Sequence, residues 1–344
     1  LRIVLEKGTV ASLQAYLDRK EIGAGDIIVE PIGEGHSNLT FRVRRNGADL
    51  VLRRPPRGEL AASSHDVLRE AGLIEALAGL VPVPKVLAQC EDPVIVGTPF
   101  YLMEFLPGKV LTDSLPAGVD AEQWPAELVE AVVDGLVRIH AVDWAAVGLA
   151  DFARPGDYAG RQLRRFTAQA ERNRRRELPT VERVTRWLGE NLPEQGGSTI
   201  VHGDYRIGNL MFGPGPPPRL EAVLDWELAT LGDPIADLGY LLATYPRPGE
   251  DSLFARHSGL STLPGFPGRV EIAALYADRS ERSIDSLKWY EVLAVWKTSI
   301  WLETSYGRYL EGDTDDDFFG ELERGVPDLA EQAWALTSES ESRA

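Results

Sequence analysis

The feature that most constrains this chain is a change of hydrophobic period near residue 105. Before it, apolar residues recur at every second position. In LTFRVR, Leu39, Phe41 and Val43 alternate with Thr40, Arg42 and Arg44, the period of a strand with one buried face. Asn46-Gly47 marks a tight hairpin turn, and ADLVLRR runs back until Pro55-Pro56 stops it. Residues 26–54 therefore read as three antiparallel strands. A short amphipathic helix precedes them over 9–20, with Leu13 and Leu17 on one face. In SSHDVLREAGLIEALAGL, Val67, Leu73, Ile74 and Leu77 form a helical stripe, and Ser63 with Asp66 reads as a capping-box-like start. Strands follow near 85–90 and in TPFYLMEF, so the order to about residue 104 is β-β-β-α-β-β.

Beyond the linker LPGK at 106–109 the period becomes helical. Helices are expected over 120–141, 157–175, 179–191, 269–279 and 284–306. STIVHGD reads as a short strand entering a loop. LMF and RLEAVLDW read as a hairpin around GPGPPP. DPIADLGYLLATY starts a buried helix with Asp233 as N-cap and Pro234 as first helical residue. The acidic tail from EGDTDDDFF onward is expected to be peripheral. The fold class that follows is α+β with two lobes: residues 1–104, an antiparallel sheet with one main helix, and residues 105–344, mostly helical.

Composition narrows the partners. The 344 residues are 44% apolar and 26% charged, an ordinary globular balance. The net charge of −17 argues against nucleic acid. No run of about 18 apolar residues exists, so no membrane span is expected. The opening LRIVLEKGTV lacks the basic-then-apolar order of a secretory signal, and Cys90 is the only cysteine. Both lead to the expectation of a reducing, cytoplasmic setting. Against the acidic background, seven arginines fall between 161 and 176, at 161, 164, 165, 172, 174, 175 and 176.

Three polar constellations carry chemistry. VHGDYRIGNLMF places Asp204 and Asn209 in a D-x-x-x-x-N spacing, and Asp225 follows in AVLDWE. Phosphoryl transfer needs a carboxylate to orient or deprotonate the attacking hydroxyl and hard oxygen ligands for Mg2+. Asp204 fits the base, and Asn209 and Asp225 fit the metal ligands. Arg206 is placed to neutralise the transferring group. A polar turn with side-chain-to-backbone hydrogen bonds is the competing reading. In IGEGHSNLTFRV, Gly33 and Gly35 lie between two strands, where glycine lets backbone N–H groups approach phosphate, or else simply forms a hairpin turn. Arg53 on the third strand and Glu70 on the next helix form either a phosphate-holding pair or a surface salt bridge.

HGDYRIGN followed by VLDWELATLGDPIADLGYL resembles the aminoglycoside phosphotransferase family, within the protein-kinase-like fold. The branch it is most similar to is related to the kinase-like domains of acyl-CoA dehydrogenase fusion proteins; GEGHSN, LVLRRPP, SSHDVLRE and GTPFYLMEF match that branch in order. The resemblance implies ATP and Mg2+ as cofactors, residues 1–104 as the nucleotide-binding lobe and residues 105–344 as the catalytic and substrate lobe. It implies Asp204 as catalytic base, His202 as a brace of its loop, and Asn209 with Asp225 as Mg2+ ligands. Gly33, Gly35, His36, Ser37 and Asn38 would cover the ATP phosphates, with Arg53 and Glu70 behind them. Glu104, Phe105 and Leu106 would form the interlobe hinge that binds adenine, flanked by Met103 and Phe105. Asp233 and Asp237 would be structural. Two departures stand out: Arg53 replaces the usual lysine, which is not a conservative exchange, and DWE replaces DFG.

The substrate is less constrained. The family implies a polycationic sugar antibiotic, whereas arginines at 161–176 on the acceptor side would attract phosphate or carboxylate. An anionic hydroxy acid or hydroxyacyl-CoA then follows, unless that segment is a solvated face paired with local Glu. Trp289, Tyr290, Trp296, Trp301 and Tyr306 either line an apolar cleft or form core. The expectation is a small-molecule O-phosphotransferase, a monomer or weak dimer, acting on a hydroxylated substrate. The alternatives are an aminoglycoside kinase and a nucleotide-binding regulator with little catalysis.

Overall fold

The computed structural model describes residues 5–32, 38–56, 66–312 and 318–338. Its first part is a five-stranded sheet of β1 (Ala24–Pro31), β2 (Leu39–Asn46), β3 (Ala48–Arg54), β4 (Val86–Cys90) and β5 (Phe100–Glu104), in the order β1-β2-β3-β5-β4 with every pairing antiparallel. The Asn46-Gly47 turn joins β2 to β3, with Gly47 at φ 78°. Register decides what each face carries. Phe41 pairs with Leu52, and Leu52 with Leu102. These residues, with Val43, Leu50, Phe100 and Cys90, pack against Leu13 and Leu17 of α1 (Lys7–Arg19). The opposite face holds Thr40 beside Arg53, Arg53 beside Tyr101, and Val51 beside Met103. Since side chains alternate across a sheet, Arg53 lies on the face that α2 (Val67–Leu77) covers.

The stripe expected on α2 is buried, as Val67, Leu73, Ile74 and Leu77. Its cap differs from expectation. Asp66 itself accepts the Arg69 N–H at 2.9 Å, and Ser63 lies outside the described residues. The α2-facing side of the sheet joins the large core of the helical part, through Val51, Tyr101 and Met103.

The connection after β5 passes Gly108, where a Cβ would lie 2.4 Å from Met211. It leads to β6 (Lys109–Val110), which pairs with β8 (Leu210–Phe212), itself paired with β9 (Leu220–Val223). Between β6 and β8 run α4 (Trp124–His140), α5 (Tyr158–Arg172), α6 (Pro179–Glu190) and β7 (Thr199–Val201), the short α3 (Pro93–Val96) having come before β5. Helix α4 begins four residues later than the period suggested, because the Asp120 side chain accepts the Glu122 and Gln123 N–H groups in a local turn. After β9 come β10 (Thr230–Gly232), paired with β7, then α7 (Ile235–Ala243), α8 (Leu253–His257), α9 (Arg269–Ser280), α10 (Leu287–Leu310) and α11 (Phe318–Ser338). Asp233 caps α7 by accepting the Ile235 N–H at 3.0 Å, with Pro234 just outside the helix.

The tail corrects an expectation. It is not peripheral: α11 buries Phe319, Leu322, Val326, Leu329, Ala333 and Leu336 against α10 and α6. The acidic run before it obscured a three-to-four-residue apolar period. Four of the five late aromatics are core, with Trp289, Tyr290, Trp296 and Tyr306 buried, while Trp301 is half-buried outside it. No helix among the described residues is long and apolar enough to cross a membrane.

Candidate active site

The loop after β7 is built by opposed hydrogen bonds. Gly203 adopts φ 85°, and a Cβ there would sit 2.9 Å from the Leu228 carbonyl, so only glycine fits. The buried Asp237 carboxylate on α7 accepts the His202 N–H at 2.7 Å and the Gly203 N–H at 2.8 Å. Burial alone would raise the Asp237 pKa, but the His140 hydrogen bond and the Gly203 N–H hold it below the usual range. His202 is fully buried; its Nε2 donates to the Leu224 carbonyl at 2.9 Å, and its Nδ1 accepts the Asp204 N–H at 3.2 Å. That pattern requires the neutral Nε2–H tautomer, and the ring lies 4.7 Å from Trp226.

Asp204 and Asn209 are joined directly. The Asn209 amide nitrogen donates to the Asp204 carboxylate at 2.7 Å and to the Asp204 carbonyl at 2.8 Å. With both N–H groups used, the Asn209 side-chain oxygen is the atom that remains able to accept a hydrogen bond or a cation. The Leu224 N–H bonds the Asn209 carbonyl at 2.9 Å, tying this loop to the segment that carries Asp225. Arg206 approaches Asp204 at 3.7 Å. The Tyr240 phenol is pushed well up, first by burial and then by the Asp204 charge.

Arg53 and Glu70 meet in a node that also contains both ends of DWE. Arg53 Nε donates to Glu70 at 3.0 Å, and its Nη2 donates to one Asp225 oxygen and lies 3.7 Å from Glu227. The second Glu70 oxygen accepts the Trp226 N–H at 3.1 Å. Burial pushes the Glu70 pKa up, while Arg53 and that N–H oppose it. The Arg53 guanidinium is held charged by Glu70, Asp225 and Glu227, which outweigh its own burial. One guanidinium facing three carboxylates leaves a local excess of negative charge. A divalent cation relieves such an excess, and the second Asp225 oxygen together with the Asn209 oxygen is a hard donor pair suited to Mg2+. No group of three or more His, Cys, Asp or Glu forms a protein-only metal cage among the described residues, and Mg2+ at phosphates commonly takes one or two protein ligands. Asp225 holds φ 66°, a left-handed conformation costly for a residue other than glycine.

Of the residues expected to cover the ATP phosphates, Gly33, Gly35, His36 and Ser37 lie outside the described residues. Asn38 is buried, and its amide donates to Glu227 at 2.9 Å. At the hinge, the Glu104 N–H bonds the Lys85 carbonyl and the Phe105 N–H bonds the Asp49 carbonyl. That leaves Leu106 as the segment's uncommitted N–H among the described residues. The Phe105 ring is covered by the Arg42 guanidinium at 3.7 Å.

The 161–176 segment resolves residue by residue. Arg164 pairs with Asp157, Arg174 with Glu177 and Glu182, Arg175 with Glu311, and Arg176 with Glu303 through a two-pronged contact. Arg161 donates to the Leu231 carbonyl. Among the described residues, Arg165 and Arg172 have no ion pair. Arg165 lies close enough to Lys297 on α10 to oppose its charge.

Sequence reasoning missed Lys297, whose Nζ donates to the Gly203 carbonyl at 2.8 Å. Its signal was a lone cation in the apolar run VLAVWKTSIW. Glu227 was visible in DWE but had no assigned partner.

The chain is similar to known proteins in sequence and in fold. The model of the phosphotransferase enzyme family, APH, matches residues 28–269. A mouse protein, acyl-CoA dehydrogenase family member 10, is 37% identical over 304 residues, covering 87% of this chain and 28% of that protein. The chicken acyl-CoA dehydrogenase family member 11 is 33% identical over 341 residues, covering 95% and 43%. The chain thus spans less than half the length of these relatives. A solved structure from Ralstonia eutropha, provisionally named an aminoglycoside phosphotransferase, superposes with a TM-score of 0.78 at 31% identity, covering 95% of this chain and 97% of that one. The GDP and kanamycin complex of APH(2")-IIIa shares the fold at a TM-score of 0.63 and 17% identity, covering 93% and 97%.

Proposed function

The chain belongs to the phosphotransferase enzyme family, APH, and from that premise we propose that it is an ATP- and Mg2+-dependent kinase of a small hydroxylated molecule. The observation that carries the reading is the Asp204–Asn209 pair joined through the Leu224 backbone to Asp225 and Arg53. Mg2+, held by Asn209 and Asp225, would neutralise phosphate charge during transfer. Asp204 takes the proton of the acceptor hydroxyl as that oxygen bonds the γ-phosphorus and the bond to the bridging oxygen breaks, releasing ADP. Arg206 lies beside Asp204 and offsets the negative charge that develops. Arg53 does the same once phosphate competes with Asp225 for its guanidinium. Leu106 supplies an N–H, and Met103 an apolar surface, to the adenine.

The acceptor is proposed to carry an anionic group, as a hydroxy acid or hydroxyacyl-CoA does. Arg165, Arg206 and Lys297 bring three cations to the Asp204 side, which supports an anion and disfavours a polycationic aminoglycoside. Arg53 resting on Asp225 favours a second reading, a nucleotide-binding regulator with little turnover. The two separate in an assay of ADP release with ATP, Mg2+ and a panel of hydroxy acids, hydroxyacyl-CoAs and kanamycin-type sugars. The proposal expects turnover with an anionic acceptor, and a loss of about 100-fold or more in Asp204→Ala with nucleotide-induced thermal stabilisation retained. Undiminished turnover in that variant would remove Asp204 as the base. ATP binding without turnover on any acceptor would favour the regulator.

A further inference from the structure

Lys297 is 7% exposed, in the middle of α10. A buried ammonium is expensive unless a carboxylate pairs with it. Here the hydrogen-bond acceptor is the neutral Gly203 carbonyl at 2.8 Å, and the Tyr240 ring face lies 4.5 Å away. The charges facing it are Asp204 and Asp237, which favour the ammonium, and Arg165, which opposes it. Asp237 is already occupied by the His202 and Gly203 N–H groups. Gly203 is therefore gripped from both sides by buried charges on two helices, its N–H by Asp237 of α7 and its carbonyl by Lys297 of α10. It has no room for a side chain, and the next residue is Asp204.

We infer that Lys297 is a positioning residue for phosphoryl transfer, whose ammonium fixes the Gly203 carbonyl and so aims the Asp204 carboxylate at the acceptor hydroxyl. The inference rests on the reading of Asp204 as the base. Folding alone does not ask for this lysine. Burial lowers its pKa from 10.5 to about 8. The unfolded chain then binds more protons than the folded one between those values, so stability rises as pH climbs from about 8 to 10.5 and the charged form is a cost at neutral pH. A neutral side chain of similar shape should fold at least as well and function worse. A lysine that only held the fold would behave in the opposite way.

The test uses the full chain with Mg·ATP, reading ADP release on phosphoryl transfer to the acceptor found by screening, or to water, in wild type, Lys297→Met, Lys297→Arg and Asp204→Asn. Lys297→Met is expected to keep or raise Tm at pH 7 and to leave KM for Mg·ATP within about twofold. Its kcat is expected to fall about ten- to a hundred-fold, the cost of a small misplacement of a catalytic group. Wild type should lose activity through a midpoint near 8. That limb should vanish in Lys297→Met and move to higher pH in Lys297→Arg, with part of kcat restored. Wild-type kcat in Lys297→Met, or a loss that follows a lowered Tm with the pH profile unchanged, overturns the inference. Turnover surviving in Asp204→Asn overturns the base reading instead. Should wild type show no turnover, NMR titration of the Lys297 ammonium decides: its pKa should drop in Asp204→Asn, and an unchanged titration overturns the coupling.

Discussion

Two regions of this molecule in which arginines meet carboxylates are arranged in opposite ways. At the junction of sheet and helices, a single guanidinium, Arg53, is 12% exposed and faces Glu70, Asp225 and Glu227. Along 161–176, seven arginines stand mostly at the surface, and four of them are each neutralised by nearby carboxylates. The junction carries an excess of carboxylates although its key residue is basic. The 161–176 segment is strongly basic in sequence, yet offers a ligand little more than Arg165 and Arg172. What a charged residue presents to a ligand is set by its partners and its burial, not by how many like it lie nearby in sequence.

Stability measurements can break this contrast. Arg53→Met leaves three carboxylates without their cation and should cost about 3–5 kcal/mol in urea denaturation. A cost below about 1 kcal/mol would mean that the node is solvated like the surface. Arg176→Ala is the intermediate case within the basic segment. Arg176 grips the buried Glu303 carboxylate with two nitrogens and lies over the Tyr306 ring. Its loss should cost about 2 kcal/mol, because Glu303 is left buried and unpaired. Arg165→Glu addresses ligand binding: KM for an anionic acceptor should rise about tenfold, equivalent to about 1.4 kcal/mol, with Tm unchanged. An unaltered KM would return Arg165 to the solvated face. Arg174→Ala, whose side chain is 50% exposed, should change stability by less than about 0.5 kcal/mol. A larger loss would show that the segment holds the helices together more strongly than its exposure suggests.

Legibility followed the range of the interactions. The strands, their turn and the α2 stripe were readable because period and turn chemistry are local. Asp204 and Asn209 were readable because five residues of spacing suffice to bring them into contact. Arg53 and Glu70, 17 residues apart, could be paired only through the known layout of strand and helix, and the structure does join them. Glu227 reaching Asn38 across 189 positions had no local signature. The α11 helix was hidden by its acidic approach. Arg174 meets the local-Glu alternative through Glu177, three residues on, whereas the Arg175 partner Glu311 lies 136 positions away and had no local signature.

The sequence by itself determined the change from sheet to helices, the carboxylate and amide of the loop after β7, and the chemistry those groups can perform. Those properties reside in residue type and short spacing. Tertiary structure alone decided that Arg53 rests on Asp225, that Arg175 and Arg176 are neutralised by Glu311 and Glu303, and that a lysine nearly a hundred residues away holds the carbonyl beside Asp204. The contacts of Arg53, Arg175, Arg176 and Lys297 join distant parts of the chain, whereas Arg164 and Arg174 pair with carboxylates within eight residues. The distant ones depend on separation and burial in space, which spacing along a sequence does not encode.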